Sequence, residues 1–134
     1  MLQVARLSPK QLGESREPVV SFLLSQKNPD GGFRNRGGAS DLYYTVFGLE
    51  GLIALSVPNT GNATSSYLRT FGDGDSLDFV HLACLARCWA NVSRDLAGVP
   101  RTQILERIEA HRTSDGGYDG TMYGCFLATG AYQD

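Results

Sequence analysis

A histidine and two cysteines follow one another at helical spacing in the middle of the chain. His81, Cys84 and Cys88 stand at i, i+3 and i+7, and Asp78 lies one turn before the histidine. On one helix face they could supply three zinc ligands and a carboxylate that orients the histidine. Three ligands from a single helix are, however, cramped for tetrahedral zinc, and free cysteine behaves as a small buried apolar residue. We therefore expect no cofactor, and zinc bound by His81, Cys84 and Cys88 is the alternative.

Two aspartates form the second group that could do chemistry, in the sequence Asp73-Gly74-Asp75-Ser76. In a cluster of neighbouring carboxyl groups, one carboxyl can remain protonated and act as an acid. Asp, Gly and Ser are also the residues that build turns, and Ser76 could cap a following helix. A turn is the interpretation that we favour here.

A turn motif that occurs three times organises these residues. Asp30-Gly31-Gly32-Phe33 returns as Asp115-Gly116-Gly117-Tyr118, and a weaker copy, Phe71-Gly72-Asp73-Gly74, lies halfway between them. The aspartates recur at about 42–43 residues, a period typical of helical-hairpin repeats. Glycine takes positive φ at little steric cost, so the chain can reverse at each copy. A helix, a turn and a helix of this length cannot bury their apolar faces alone, so the units must stack.

Apolar periodicity places helices between these turns. Segments 41–56 and 77–92 are apolar nearly all round and are expected to be inner, buried helices, whereas 16–27 and 101–112 are amphipathic and outer. A shorter helix is expected at about 65–71 and a last one from about residue 120. The sequence thus predicts an all-α fold without any sheet.

Local details of the predicted second helix also follow from its residues. Ser40 is the expected cap at its start. Gly48 and Gly51 lie inside it and cost about 1 kcal/mol each relative to alanine, which indicates close helix packing or room left in a cavity.

Composition limits the classes of function. The chain has 134 residues, of which 42% are hydrophobic and 19% charged, as in an ordinary globular domain. Its net charge of −2 argues against nucleic acid as a partner. No apolar run is long enough to insert into a membrane, and the first fifteen residues lack the pattern of a signal peptide. Three cysteines are too few and odd in number for a disulfide scaffold, so we expect a cytoplasmic protein.

The repeated turn resembles a known family. The run from Gln26 to Phe33, leading into Ser40-Asp41-Leu42-Tyr43-Tyr44-Thr45, is similar to the repeat shared by protein prenyltransferase β-subunits, squalene/hopene cyclases and related terpene cyclases. The last unit, with Thr121-Met122-Tyr123-Gly124-Cys125, looks like another member. The resemblance covers residues 16–134, with 1–15 as a lead-in. It implies an α/α toroid, of which about three stacked helical hairpins, or half a ring, are present.

The resemblance also implies two catalytic arrangements, and neither is intact in this chain. A zinc-dependent prenyltransferase uses Asp-x-Cys and a histidine; the position matching that histidine is Tyr44, and no Asp-x-Cys occurs. A proton-initiated cyclase uses Asp-x-Asp-Asp, and the segment beginning at Asp73 is one carboxylate short. No catalytic residue is therefore assigned, and no zinc is expected at the matching positions.

The function that the resemblance implies is a prenyltransferase-like or terpene-cyclase-like role, in which an isoprenoid or other apolar small molecule lies in an apolar cavity. The residues expected to line that cavity are Asp41, Tyr44, Phe47 and His81. Aromatic rings there would attract cationic groups, although most rings will serve as core. The alternative is a non-catalytic binding or scaffolding module that keeps the repeat. The aromatic candidates are Tyr43, Tyr44, Phe47, Phe79, Trp89, Tyr123 and Phe126.

Three units are fewer than a closed toroid contains. We therefore expect either self-association or a missing C-terminal half. The exposed end of the last helix should then present Phe126, Leu127 and Tyr132.

Overall fold

The structure, a computed structural model, describes residues 12–58, 62–92 and 98–133. These residues form an all-α fold, as the sequence predicts. None of the described helices is long and apolar enough to cross a lipid bilayer. After a 3₁₀ turn at Gly13–Ser15, the six described helices are α1 (Arg16–Ser25), α2 (Leu42–Ala54), α3 (Asn62–Arg69), α4 (Phe79–Val92), α5 (Arg101–Glu109) and α6 (Met122–Gln133).

The three repeated turns share one local design. In each, the aspartate side chain accepts a hydrogen bond from the backbone amide two residues later: Gly32 N to Asp30 at 2.9 Å, Asp75 N to Asp73 at 3.2 Å and Gly117 N to Asp115 at 3.0 Å. The glycine after each aspartate has positive φ, between +81° and +95°. The strong turn signal in the sequence therefore reflects a backbone conformation that few other residues adopt.

The prediction that the chain has no sheet is wrong in one detail. Strands β1 (Phe33–Arg34) and β2 (Ser40–Asp41) pair in antiparallel register, with Phe33 opposite Asp41. The loop between them closes on itself, since Asn35 N donates to Ala39 O at 2.8 Å and Gly38 N to Asn35 O at 3.0 Å. The two strands have two residues each, so the ladder belongs to the turn and does not form a layer of the fold.

The helix caps also differ from the prediction. Asp41, not Ser40, caps α2, because its Oδ1 accepts hydrogen bonds from Tyr43 N at 2.8 Å and Tyr44 N at 3.4 Å. Ser40 instead donates its hydroxyl to Asp30 at 2.7 Å, which ties the first turn to the strand before α2. At the start of α4 the same role belongs to Asp78 and not to Ser76, since Asp78 Oδ1 accepts from His81 N at 2.9 Å. A carboxylate at this position also complements the positive end of the helix dipole.

Helix α4 forms the centre of the core. It packs against α2 on one side and α6 on another, and α3 and α5 also contact it. Leu82, Ala83, Leu85 and Cys88 on α4 are completely or almost completely buried, as an apolar inner helix predicts. Helix α2 buries one side only, and its rings Tyr44 and Phe47 remain exposed.

Helices α2, α4 and α6 run in the same direction. At the start of these helices, Asp41, the cap of α2, contacts His81 of α4. Further along, Glu50 of α2 forms an ion pair with Arg87 of α4. The side chain of Arg87 in turn lies against Gly130, late in α6. Their N-terminal ends therefore lie at one end of the molecule.

Candidate functional site

Aromatic side chains on α2 and α6 form an exposed surface, here called the aromatic face, made of Tyr43, Tyr44, Phe47, Tyr123 and Phe126. Four of the rings are exposed to between 38% and 51%, and Tyr43 is half-buried beneath them. On α2, the Tyr43 ring meets Phe47 edge-on at 5.0 Å and Tyr44 at 6.0 Å; on α6, Tyr123 stacks on Phe126 at 6.4 Å. The rings of each helix therefore support one another.

A pair of tyrosines joins the two halves of the aromatic face. Tyr43 of α2 lies close to Tyr123 of α6, and this neighbour, with burial, raises the pKa of Tyr123 to about 12. The pair is notable because α2 and α6 are separated by α4, which contacts both. The proximity of these two rings brings the aromatic residues of α2 and α6 to the same side of α4.

A histidine between two aspartates lies at the N-terminal end of this surface. His81 Nδ1 is 2.9 Å from both carboxylate oxygens of Asp78, and its Nε2 is 3.6 Å from Asp41 Oδ2. Burial alone would raise the pKa of Asp78, but hydrogen bonds from the His81 backbone amide and ring hold it below its usual value. Two of the predicted cavity-lining residues, Asp41 and His81, are thereby brought together.

An ion pair lies further along the same three helices. Arg87 of α4 bonds Glu50 of α2, and the two side chains are only 11% and 22% exposed. The guanidinium also lies against Gly130, where an added Cβ would approach it to 3.3 Å. The polar groups of this region thus flank the rings at both ends.

The two cysteines of the predicted metal cluster do not point to a common site with the histidine. Cys84 and Cys88 are buried, and the Cys88 thiol donates to Leu42 O at 3.8 Å. Burial raises the pKa of Cys84 to about 12 and that of Cys88 well above its usual value. Both thiols are therefore held in the neutral form by their buried surroundings. Within the described residues, no three His, Cys, Asp or Glu side chains converge on a point where a metal ion could bind.

The second predicted group, Asp73 and Asp75, belongs to a turn. Arg107 of α5 bridges them, with Nη2 2.7 Å from Asp73 and Nη1 2.8 Å from Asp75. The hydrogen bond from Arg107 lowers the pKa of Asp73, so this carboxyl is not kept protonated. The structure therefore favours the turn over an acid catalyst at this position.

A separate apolar hollow lies between α4, α5 and α6. It is lined chiefly by Trp89, Ile104, Leu105 and Ala131 and has a volume of about 50 Å³. Pockets for drug-sized ligands hold about 300–1,000 Å³. This hollow is therefore too small for a drug-sized ligand.

The sequence placed Asp41, Tyr44, Phe47 and His81 in the site, and it named the α6 rings only among the wider set of aromatic candidates. The signal for those was present, since Tyr123 and Phe126 have the same i, i+3 spacing as Tyr44 and Phe47. At the end of the chain, Phe126 and Tyr132 are exposed as expected, but Leu127 is buried and not exposed. It lies on the α6 side that packs against α4.

Comparisons of the chain with models of protein families, with curated proteins and with solved structures found no match.

Proposed function

We propose that the aromatic face binds an isoprenoid or similar apolar chain, in a repeat protein of the prenyltransferase and terpene-cyclase type. The observation that carries this proposal is the set of exposed rings on α2 and α6, which meet at Tyr43 and Tyr123. Large exposed apolar patches on a domain are typical of a surface that something covers. The parallel helices α2, α4 and α6 would be the inner layer of a partial toroid, and α1, α3 and α5 its outer layer.

The energy available from such a surface is considerable. Full burial of one large apolar side chain contributes about 1.5–3 kcal/mol, and four of the rings are half-exposed. An apolar chain laid across them would remove part of this area from water without any rearrangement of the core. Four half-exposed rings therefore offer about 3–6 kcal/mol before the cost of association, which corresponds to roughly millimolar binding.

The test is calorimetric titration of the chain with geraniol, a short neutral isoprenoid alcohol. Phe47→Ala and Phe126→Ala should each weaken binding about tenfold, the effect of losing roughly 1.4 kcal/mol. Both side chains are 51% exposed, so the variants should fold. Phe22→Ala is the matched control, because Phe22 is 61% exposed but lies on α1. Equal weakening by all three variants, or no binding of geraniol, would contradict the proposal.

The same experiment addresses the alternative of a non-catalytic binding or scaffolding module. Geraniol recovered unchanged supports binding alone, and a new product would show turnover. Sedimentation at rising concentration provides the third result: association that Phe47→Ala abolishes would mean that the aromatic face is a protein interface.

A further inference from the structure

Helices α2 and α6 carry almost no charge. Helix α6 has no charged residue in its sequence, and α2 has a single one, Glu50, which pairs with Arg87. Helix α5, in contrast, contains two arginines and two glutamates among its 9 residues. A helix side that faces water normally carries charged or polar residues. The exposed sides of α2 and α6 therefore have an unusual composition for a surface that stays in contact with water.

The exposed apolar area on these two helices is of the size that a dimer buries. Tyr44, Phe47, Tyr123 and Phe126 are exposed to between 38% and 51%. At about 150–250 Å² for each aromatic side chain, they leave roughly 300–450 Å² of ring surface in water. Met122, one turn before Phe126, is 88% exposed and enlarges this area. A standard interface buries about 800 Å² on each partner, of which about 65% is apolar in homodimers. The rings and Met122 match most of that apolar part.

The residue types of this surface also fit an interface between identical chains. Tyr, Phe and Met are enriched in the centres of interfaces, and charged residues are depleted there. A partner of different sequence is selected largely by complementary charges, and α2 and α6 present only the paired Glu50. A second copy needs no such complement, because in a twofold interface the same patch lies on both sides.

Charged groups of both signs lie at the N-terminal end of the aromatic face. Asp41 and Asp78 cap α2 and α4, and the exposed Asp119 lies just before α6. Arg34 lies on the strand that pairs with the strand of Asp41, and Arg36 is exposed in the loop between the two strands. Mixed charges at one edge of an apolar patch are typical of the polar rim of an interface.

We propose that a second copy of this chain covers the aromatic face with its own aromatic face, the two copies being related by a twofold axis. This inference goes beyond the proposed function and does not depend on it. The four exposed rings and Met122 of each copy form the centre of the interface. A ligand and the second copy contact the same rings, so the binding of one excludes the other.

Sedimentation equilibrium measures the association directly. Interfaces of standard size dissociate in the micromolar range or below, so chain concentrations from about 1 to about 300 micromolar cover the transition. The mass should rise to that of two chains and no further, since a twofold interface is closed. In 1 M salt, where the screening length falls to about 3 Å, the dimer should persist, because uncharged helix sides form its centre. A dimer that dissociates in 1 M salt would contradict the inference.

Charge-introducing variants locate the interface. Phe47→Glu and Phe126→Glu should each weaken dimerisation about a hundredfold, because twofold symmetry places each new charge at two positions of the interface. Both side chains are 51% exposed, so the variants should fold, which circular dichroism verifies. Phe22→Glu is the matched control. Phe22 is 61% exposed on α1, where Val19 and Leu24 are exposed too, and its substitution should leave the dimer intact.

The outcomes separate this inference from the proposed function. A chain that stays monomeric at the highest concentration overturns the inference, and so does a dimer that Phe22→Glu dissociates or that both face variants leave intact. Titration with geraniol at concentrations where the chain is monomeric tests the proposed function separately. Geraniol binding by a chain that never dimerises overturns only the present inference. A dimer whose monomers do not bind geraniol supports it and overturns only the proposed function.

Discussion

The ring of Phe33 lies directly against the backbone of Gly48. Phe33 follows the first repeated turn and is 2% exposed, while Gly48 is in the middle of α2. A Cβ at Gly48 would overlap the ring carbons of Phe33. The first turn is therefore fastened to α2 through a contact that only glycine permits. Phe33 N strengthens it by donating to Thr45 Oγ1 at 2.9 Å.

Gly48→Ala should therefore destabilise the protein although alanine is the better helix former. Overpacking of this kind costs about 1–3 kcal/mol, which exceeds the gain of about 1 kcal/mol in helix propensity. The measurement is urea unfolding followed by circular dichroism.

Gly51→Ala is the matched control in the same helix. Its Cβ would meet Leu23 Cδ1 at 3.0 Å, the end of a flexible side chain that can move. This variant should be close to neutral. Equal losses at Gly48 and Gly51 would show that the Phe33 contact is not the cause.

The equivalent glycines Gly31 and Gly116 provide a second comparison. Both have positive φ, +95° and +86°, so alanine at either position costs about 1–2 kcal/mol in backbone strain. At Gly116 nothing lies within 4 Å of an added Cβ, but at Gly31 it would overlap the backbone of Ala63 and Thr64. Gly31→Ala should therefore lose far more stability than Gly116→Ala, and the unfolding midpoints of the two variants measure this difference. Similar midpoints would contradict the tight approach of α3 to the first turn.

The contrast between these features shows what the sequence can predict. The repeated turns were predictable because Asp-Gly-Gly acts locally: a carboxylate accepts an amide two residues away, and glycine supplies positive φ. The contact between Asp41 and His81 was not predictable, because it joins residues 40 positions apart through the packing of two helices. The periodicity of the sequence also does not predict which rings remain exposed. Helix α2 is apolar nearly all round, so its exposed side depends on where α4 packs against it.

The wrong prediction that Ser40 caps α2 has a similar cause. Both Ser40 and Asp41 are good caps, and either can begin a helix. Asp41 is the cap because the Ser40 side chain already has two other partners. Its hydroxyl donates to Asp30, and it accepts a hydrogen bond from the side-chain nitrogen of Asn28 at 2.9 Å. These are partners from the preceding turn, which local rules do not include.

A carboxylate shared by two tyrosines fastens α6 to α5. Glu109 Oε2 accepts hydrogen bonds from the hydroxyls of Tyr118 and Tyr132, each at 2.8 Å, and Arg112 bonds the same carboxylate. The hydrogen bond from Arg112 and those from the tyrosines lower the pKa of Glu109 to about 2, from a usual 4.5. Because the folded state prefers the ionised form, the resulting stability is fully present above pH 4.5 and is lost as the pH falls toward 2.

Glu109→Gln should therefore lower the melting temperature at pH 7. The gap between this variant and the original protein should close as the pH falls from about 4.5 to about 2. Thermal unfolding at several pH values measures this, and Glu106→Gln, at an exposed position on the same helix, is the control. A gap that stays constant down to pH 2 would mean that the charge of Glu109 has no part in it.

The last prediction concerns the reactivity of the three cysteines. Cys84 and Cys88 are 1% and 0% exposed, and burial raises the pKa of the Cys84 thiol to about 12. The thiolate is the reactive species, so at pH 8 both side chains should resist a maleimide in the folded protein. Cys125 is half-buried at the start of α6 and should be modified first. Mass spectrometry of the intact chain should find one added group under native conditions and three in denaturant. Labelling of Cys84 at the rate of Cys125 would mean that the α4 surface beneath the aromatic face opens readily to solvent, contrary to its burial between α2 and α6.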